Sequence, residues 1–465
     1  MKFKKTICLI LFPAIIFACK QEKNPDVATF TGGTVTQNEC LDSFLEGVQG
    51  NPDYEANDVT FERIVNEHAM KRIGVLAAKD RQIQETEAYK TLVRRDVDTI
   101  ILNQFILDKV IDPVLPDSLV RAIHAKSSPQ YKMSVIKRTI KTSSTDSYIA
   151  QQKMQIDAIY DQLKQGGSFQ ILAKKYSQDK SVQYNGGDIG FMFSEAFSEP
   201  VLRTVMDTMK VNSFSKPVRG YNGFYILKKG RGMNIDVPPY EEVKDDLFKI
   251  VRRSRQYELM ARAQEYFEHL APKYKYSIDQ NNLSRITDNM IKTKLVQPLV
   301  QQTTESKEHL NWILARLESD SVTMRDVYTE APQFPQDLDQ FLEQFQNVVQ
   351  NRIFALEARE QGYLNHPELK DRIQYTEEQT LRTLLFKQEV QDKARQILAG
   401  EKSSTPADNT IRLHELEQKL RGEFENSLKK QYNLQIDKSK FTSMIALAKL
   451  KKQEYLDVTA PDDSH

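Results

Sequence analysis

Residues 163–190 read LKQGGSFQILAKKYSQDKSVQYNGGDIG, and the fold turns on how this stretch is read. Glycine pairs at Gly166-Gly167 and Gly186-Gly187 mark turns, and a further turn runs from Gly220 to Gly223. Strand-like runs lie at the two ends, Tyr131 to Ile140 and Phe224 to Lys228. The expectation is a compact α+β module over 128–232.

Outside the module the texture is helical. Ile64, Val65, Met70, Ile73, Leu76 and Ala77, then Leu92, Val93, Val97, Ile100, Ile101, Phe105 and Ile106, recur at spacings of three and four. The chain also resembles itself. Ala28-Thr29-Phe30 leading to Thr34–Glu39 is answered by Ala315-Arg316-Leu317 leading to Ser321–Asp326, with Thr36 and Thr323 as helix N-caps and Glu39 and Asp326 at the capping-box position. Arg72–Lys79 is answered by Arg352–Arg359, about 280 residues later, and Leu270–Asp279 by Leu428–Asp437, only 158 later. The first copy therefore carries roughly 120 additional residues, and the module is what it carries. The sequence predicts one helical unit from 27–127 closed by 233–290, a second related unit over 295–450, and a tail at 451–465.

The 465 residues hold 65 basic and 64 acidic side chains, a net charge of +1, which gives no field for nucleic acid. The N-terminus is different in kind. Lys2, Lys4 and Lys5 precede a twelve-residue apolar run from Ile7 to Ala18, too short for the roughly 20 residues a membrane span needs, so 1–18 read as an export signal. Ile16-Phe17-Ala18-Cys19 is similar to a bacterial lipobox, which implies lipidation at Cys19 and a polar tether over 19–26. At about 0.8 kcal/mol per buried methylene, several acyl chains anchor a protein without any spanning helix. With Cys19 acylated, Cys40 has no partner for a disulfide and is expected in a core.

Four phrases in order then carry a family resemblance: Leu163–Phe169, Leu172–Asp179, Gly186-Gly187-Asp188-Ile189-Gly190, and Ser215-Lys216-Pro217-Val218 before a glycine, an aromatic residue and a strand. They resemble a parvulin, the PpiC type of peptidyl-prolyl cis-trans isomerase. With exported helical flanks the whole resembles the periplasmic or lipid-anchored foldases typified by SurA, PrsA and PpiD. The fold class expected is α+β multidomain: mostly helical chaperone-like units with an inserted parvulin-like module.

The chemistry implied needs no covalent step, metal or cofactor. An Xaa-Pro bond turns over a barrier of about 18–20 kcal/mol, and each ~1.4 kcal/mol of preferential binding of the twisted amide is tenfold in rate. By the resemblance, the proline cup falls on Ile189, Phe197 and Val201, the cysteine-or-aspartate position on Asp179, the first-strand histidine on Met133 or Val135, and the last-strand histidine on Tyr225. Neither histidine is present, since all seven lie outside 125–268, and the hydroxyl positions before the last strand become Gly220 and Asn222. Asp179 and Tyr225 are the candidate catalytic residues, with the Tyr225 hydroxyl expected to orient Asp179. Ile189, Phe197, Val201 and Met133 are the candidate substrate-binding residues.

No HExxH, phosphate loop or Cys/His cluster offers a competing chemistry. The expectation is a lipid-anchored foldase of the cell envelope acting on unfolded or nascent envelope and outer-membrane proteins, touching the membrane through its N-terminal lipid and binding neither nucleic acid nor metal. Two other readings stay open: a non-catalytic chaperone with a degenerate module, and a scaffold subunit of an envelope assembly complex.

Overall fold

The computed structural model describes residues 24–141, 144–293, 310–330, 335, 337–401 and 406–459. Residues 1–18, Cys19, the start of the tether, the first residues of the expected second unit and the end of the tail lie outside them. Strands are β1 (Asp26–Phe30), β2 (Gly33–Thr36), β3 (Gln130–Thr139), β4 (Asp188–Met192), β5 (Ser213–Phe214), β6 (Val218–Arg219), β7 (Gly223–Met233), β8 (Ser277–Ile278), β9 (Ile313–Arg316), β10 (Ser321–Thr323) and β11 (Gln435–Ile436). Helices join them, and the chain divides into two compact units, residues up to 97 with those from 371 onward, and 98–370.

In the first unit, β1 turns back into β2, and Thr36 then starts the helix Gln37–Gly50, its backbone N–H and hydroxyl both donating to Glu39 Oε2. The helix Asp58–Asp80 begins at Asn57, whose side chain accepts from Thr60 N at 2.9 Å. The periodicity read from sequence becomes a buried stripe of Phe61, Ile64, Val65, Ala69, Ile73 and Ala77, packed in one core with Cys40, Leu41 and Phe44. Leu381, Leu385, Leu428, Phe441 and Met444 complete that core from the far end of the chain. Burial pushes the Cys40 thiol up to about 12, so it behaves as a small apolar group.

The second unit repeats the plan. Thr323 caps the helix Met324–Thr329 with Asp326, and the helix Leu338–Glu360 has the same length, 23 residues, as Asp58–Asp80. Each copy then carries a long helix running into a π-turn, Leu107–Ile111 in one and Lys387–Gln391 in the other. In each, the closing strand follows a residue in the left-handed region, Lys275 at φ 50° and Asn433 at φ 49°.

The expected closure does not occur. Closing strand β8, from the first copy, adds to the second copy's hairpin, pairing Ile278 with Ala315. Closing strand β11, from the second copy, adds to the first copy's hairpin, pairing Ile436 with Ala28. The unit 27–127 with 233–290 is thus corrected: its hairpin is closed by 435–436, and the 295–450 unit's hairpin by 277–278. The two hairpins present equivalent edges, so local sequence does not distinguish the two pairings.

Within residues 98–370, the inserted module is an antiparallel sheet in the order β4-β3-β7-β5, with β6 also on β7. Helices Asp146–Lys164 and Phe169–Tyr176 cover one face through Ile136, Ile140, Ile156, Ile159, Phe169, Leu172, Phe224 and Ile226. Side chains alternate across a sheet, so Met133 and Val135 on β3, and Tyr225 and Leu227 on β7, point to the opposite face. That parity decides where the site can be.

Candidate functional site

On the face away from those two helices, Met133, Val135, Phe197, Leu202, Met206, Tyr225 and Leu227 form one apolar cluster, with Ile189, Val201 and Val218 packed at its edge. Four sequence elements deliver it. The turn before β4 requires glycine: Gly187 has φ +83°, and a Cβ there would come within 2.4 Å of Val135 O. Asp188 fixes the start of β4, accepting from Gly190 N at 2.8 Å and pairing with Lys132 at 2.7 Å. A 3₁₀ turn at Ser194–Ala196 presents Phe197, and Pro200 opens the helix Pro200–Thr208 that carries Val201 and Leu202.

The structure therefore brings Ile189, Phe197, Val201, Met133 and Tyr225 together. Their exposures differ in a way that matters. Met133 is fully buried and forms a floor, whereas Ile189 and Val201 are only partly buried and stand at the rim.

Asp179 stands apart from the expected network. Its Oδ1 accepts from Ser181 N at 3.1 Å and Ser181 Oγ at 2.5 Å, closing a local turn. The hydroxyl of Tyr225 bonds instead to Glu199 Oε1 at 3.1 Å and to Asn222 Oδ1. The expectation that Tyr225 orients Asp179 is corrected accordingly. Burial first, then the Glu199 charge, raises the Tyr225 phenol well above its ordinary 10, so it stays a neutral donor at physiological pH. Lys137 lies with Nζ 5.5 Å from the Tyr225 ring centroid; burial lowers its pKa, opposed by the charges of Asp179 and Glu199.

Glu199 is the residue that sequence reasoning missed. It is 4% exposed, and besides the phenol it accepts from Tyr221 N at 2.8 Å and Asn222 N at 3.1 Å. Buried carboxylates are costly unless hydrogen-bonded in this way. The signal was the pair of departures at Gly220 and Asn222: a Cβ on Gly220 would sit 2.6 Å from Glu199 Oε2, so glycine there makes room for the carboxylate.

Two further residues lay outside the motif. Arg203, buried, donates to Phe197 O at 2.8 Å and Ser254 O at 2.7 Å and pairs with Glu258, holding the cluster to the consecutive helices Tyr240–Ser254 and Gln256–Leu270. Asn222 Nδ2 donates to Tyr257 OH at 3.0 Å, and the rings of Tyr221 and Tyr257 stack at 4.4 Å. Among the described residues no group of three or more His, Cys, Asp or Glu is placed to hold a metal ion, and no helix is long and apolar enough to cross a membrane.

Comparison with known proteins covers the same region. Residues 136–230 match the family described as Rotamase: PPIC-type PPIASE domain. The chain is 26% identical over 257 residues to Foldase protein PrsA 2 of Bacillus anthracis, spanning 52% of this chain and 81% of that one. It is 21% identical over 243 residues to a Parvulin-like PPIase of Rickettsia typhi, spanning 49% and 80%. Among solved structures it is similar to a peptidylprolyl isomerase (PrsA) from Bacillus anthracis, at 19% identity over 50% of this chain and 94% of that one, with a TM-score of 0.26.

Proposed function

We propose, on the premise that residues 136–230 are a PPIC-type domain within a parvulin-type foldase, that this chain accelerates cis-trans exchange at Xaa-Pro bonds of unfolded polypeptides in the cell envelope. One observation carries the reading: Ile189, Phe197 and Val201 gather over Met133 and Tyr225 in a single apolar cluster beside a protonated phenol. An apolar cup holds the proline ring, and a neutral donor at its edge offers a hydrogen bond to an amide that is losing its conjugation. Tyr225 supplies that donor, and Asp179, with Lys137, sets the charge around it. The helical units hold extended client segments, and the lipid on Cys19 keeps the protein at the outer membrane or on the periplasmic face, with clients that are envelope or outer-membrane proteins in transit.

A second reading, a binding module without turnover, is favoured by the absence of any histidine from 125–268 and by the complete burial of Met133. Exchange of a short Xaa-Pro peptide measured by NMR, with the chain lacking residues 1–19, separates the two because the uncatalysed rate is so slow. Acceleration that Phe197→Ala abolishes supports the enzyme. Background exchange, with aggregation of an unfolded outer-membrane client still suppressed, leaves the chaperone.

A further inference from the structure

The polar groups around Tyr225 form a connected set that runs past the end of the matched domain. Tyr225 OH contacts Glu199 Oε1 and Asn222 Oδ1, Asn222 Nδ2 contacts Tyr257 OH, and Glu199 also accepts from the backbone N–H groups of Tyr221 and Asn222. A single phenol proton serves one acceptor at a time. In the free chain, with the Asn222 amide turned by 180°, Tyr257 OH gives to Asn222, Asn222 gives to the Tyr225 oxygen and Tyr225 gives to Glu199, and the phenol proton turns from Glu199 to the substrate amide when one is bound. The set ends on a residue of the helix Gln256–Leu270, some 27 positions beyond the match at 136–230. Arg203 fastens the junction of that helix with Tyr240–Ser254 to the cup through Ser254 O and Glu258.

We propose that Glu199, Asn222 and Tyr257 are positioning residues for the isomerase reaction, holding the Tyr225 hydroxyl at the proline cup in place of the missing imidazoles, so that the active module extends into the helical unit. The proposal rests on the reading of the module as an isomerase. Each member has a separate physical task. Glu199 holds the phenol at one end of the set, and the N–H groups of Tyr221 and Asn222 hold Glu199. Tyr257 anchors Asn222 from outside the sheet, and its ring, stacked on Tyr221, fixes the loop that carries both. Burial and the Glu199 charge keep the phenol protonated, which is the state a donor needs.

The test uses the chain lacking residues 1–19 and a double-mutant cycle on peptide exchange, with kcat and KM read separately. Tyr257→Phe is expected to lower kcat roughly fivefold with KM unchanged, the size of one lost hydrogen bond. Tyr225→Phe is expected to lower it at least as much, and Tyr257→Phe made in the Tyr225→Phe background is expected to cost nothing more, because the two act through one hydroxyl. Glu199→Gln, which keeps the shape and one oxygen but replaces the other acceptor of the Tyr221 and Asn222 N–H groups with an amide donor, is expected to lower kcat likewise while suppression of client aggregation stays at the parent's level. A merely structural role for Tyr257 gives additive losses in the cycle, and that result overturns the proposal with the isomerase reading intact. A parent chain that leaves exchange at background overturns both.

Discussion

The phenol of Tyr274 donates to the carboxylate of Glu360 at 2.8 Å. Both residues lie in the unit 98–370, but Tyr274 comes from the closing part of the first sequence copy and Glu360 from the long helix of the second. The counterpart pair, Tyr432 with Asp80, sits in the other unit with the provenance reversed. The neighbouring backbone bonds agree: Glu318 N donates to Tyr274 O at 2.8 Å and Thr31 N to Tyr432 O at 2.7 Å. Two sequence repeats have traded their closing segments, and each compact unit is built from both.

That exchange makes neither sequence half complete. With a protease site introduced between 294 and 309, the cut chain is expected to run as a single 1:1 complex on size-exclusion chromatography, since each piece carries a strand paired with the other's hairpin and helices that belong to the other's compact unit. Two separately folded monomers after cutting would contradict the strand pairings.

Gly187→Ala is expected to destabilise the module by about 2–4 kcal/mol, because its Cβ would meet the Val135 carbonyl and its φ lies in the left-handed region. Gly166→Ala, also at positive φ but with open space around the Cβ, should cost about 1 kcal/mol. Urea denaturation of the two variants checks the difference, and equal losses would refute the steric account.

Arg203→Ala removes the donor to two buried carbonyls and leaves Glu258 only its longer contact with Arg255 at 3.5 Å, an expected loss of about 3 kcal/mol. The same change should loosen the two consecutive helices, seen as faster amide exchange in 240–270 than in the core of the first unit. Uniform exchange across both would show that Arg203 does not fasten them.

Cys40 should resist a thiol reagent at pH 8 in the native protein and react on unfolding, because burial raises its pKa from 9.0 to about 12. The sign of the linkage follows. The unfolded thiol ionises first, so stability is intact below about pH 9 and falls by about 1.4 kcal/mol per pH unit between there and about pH 12. Cys40→Ala removes that slope, and an unchanged slope in the variant would assign it elsewhere.

Much of this protein is legible one segment at a time. The helices of both copies, their capping boxes at Thr36 and Thr323, the repeat itself and the module's glycine turns all depend on residues within a few positions of one another, and the sequence by itself determined them. That Ile189, Phe197 and Val201 share one apolar cluster was expected from a family motif written on one short stretch. Tertiary structure decided the rest. Strand β8 pairs with the second copy's hairpin and β11 with the first's, a choice between two similar edges that no local pattern records. Tyr225 had two carboxylates within electrostatic reach, and it met Glu199 instead of Asp179 because Gly220 leaves room for that side chain beneath the loop while Ser181 satisfies the other. Hydrogen bonds between groups remote in sequence are set by packing that brings them within 3 Å, and no local pattern records that distance.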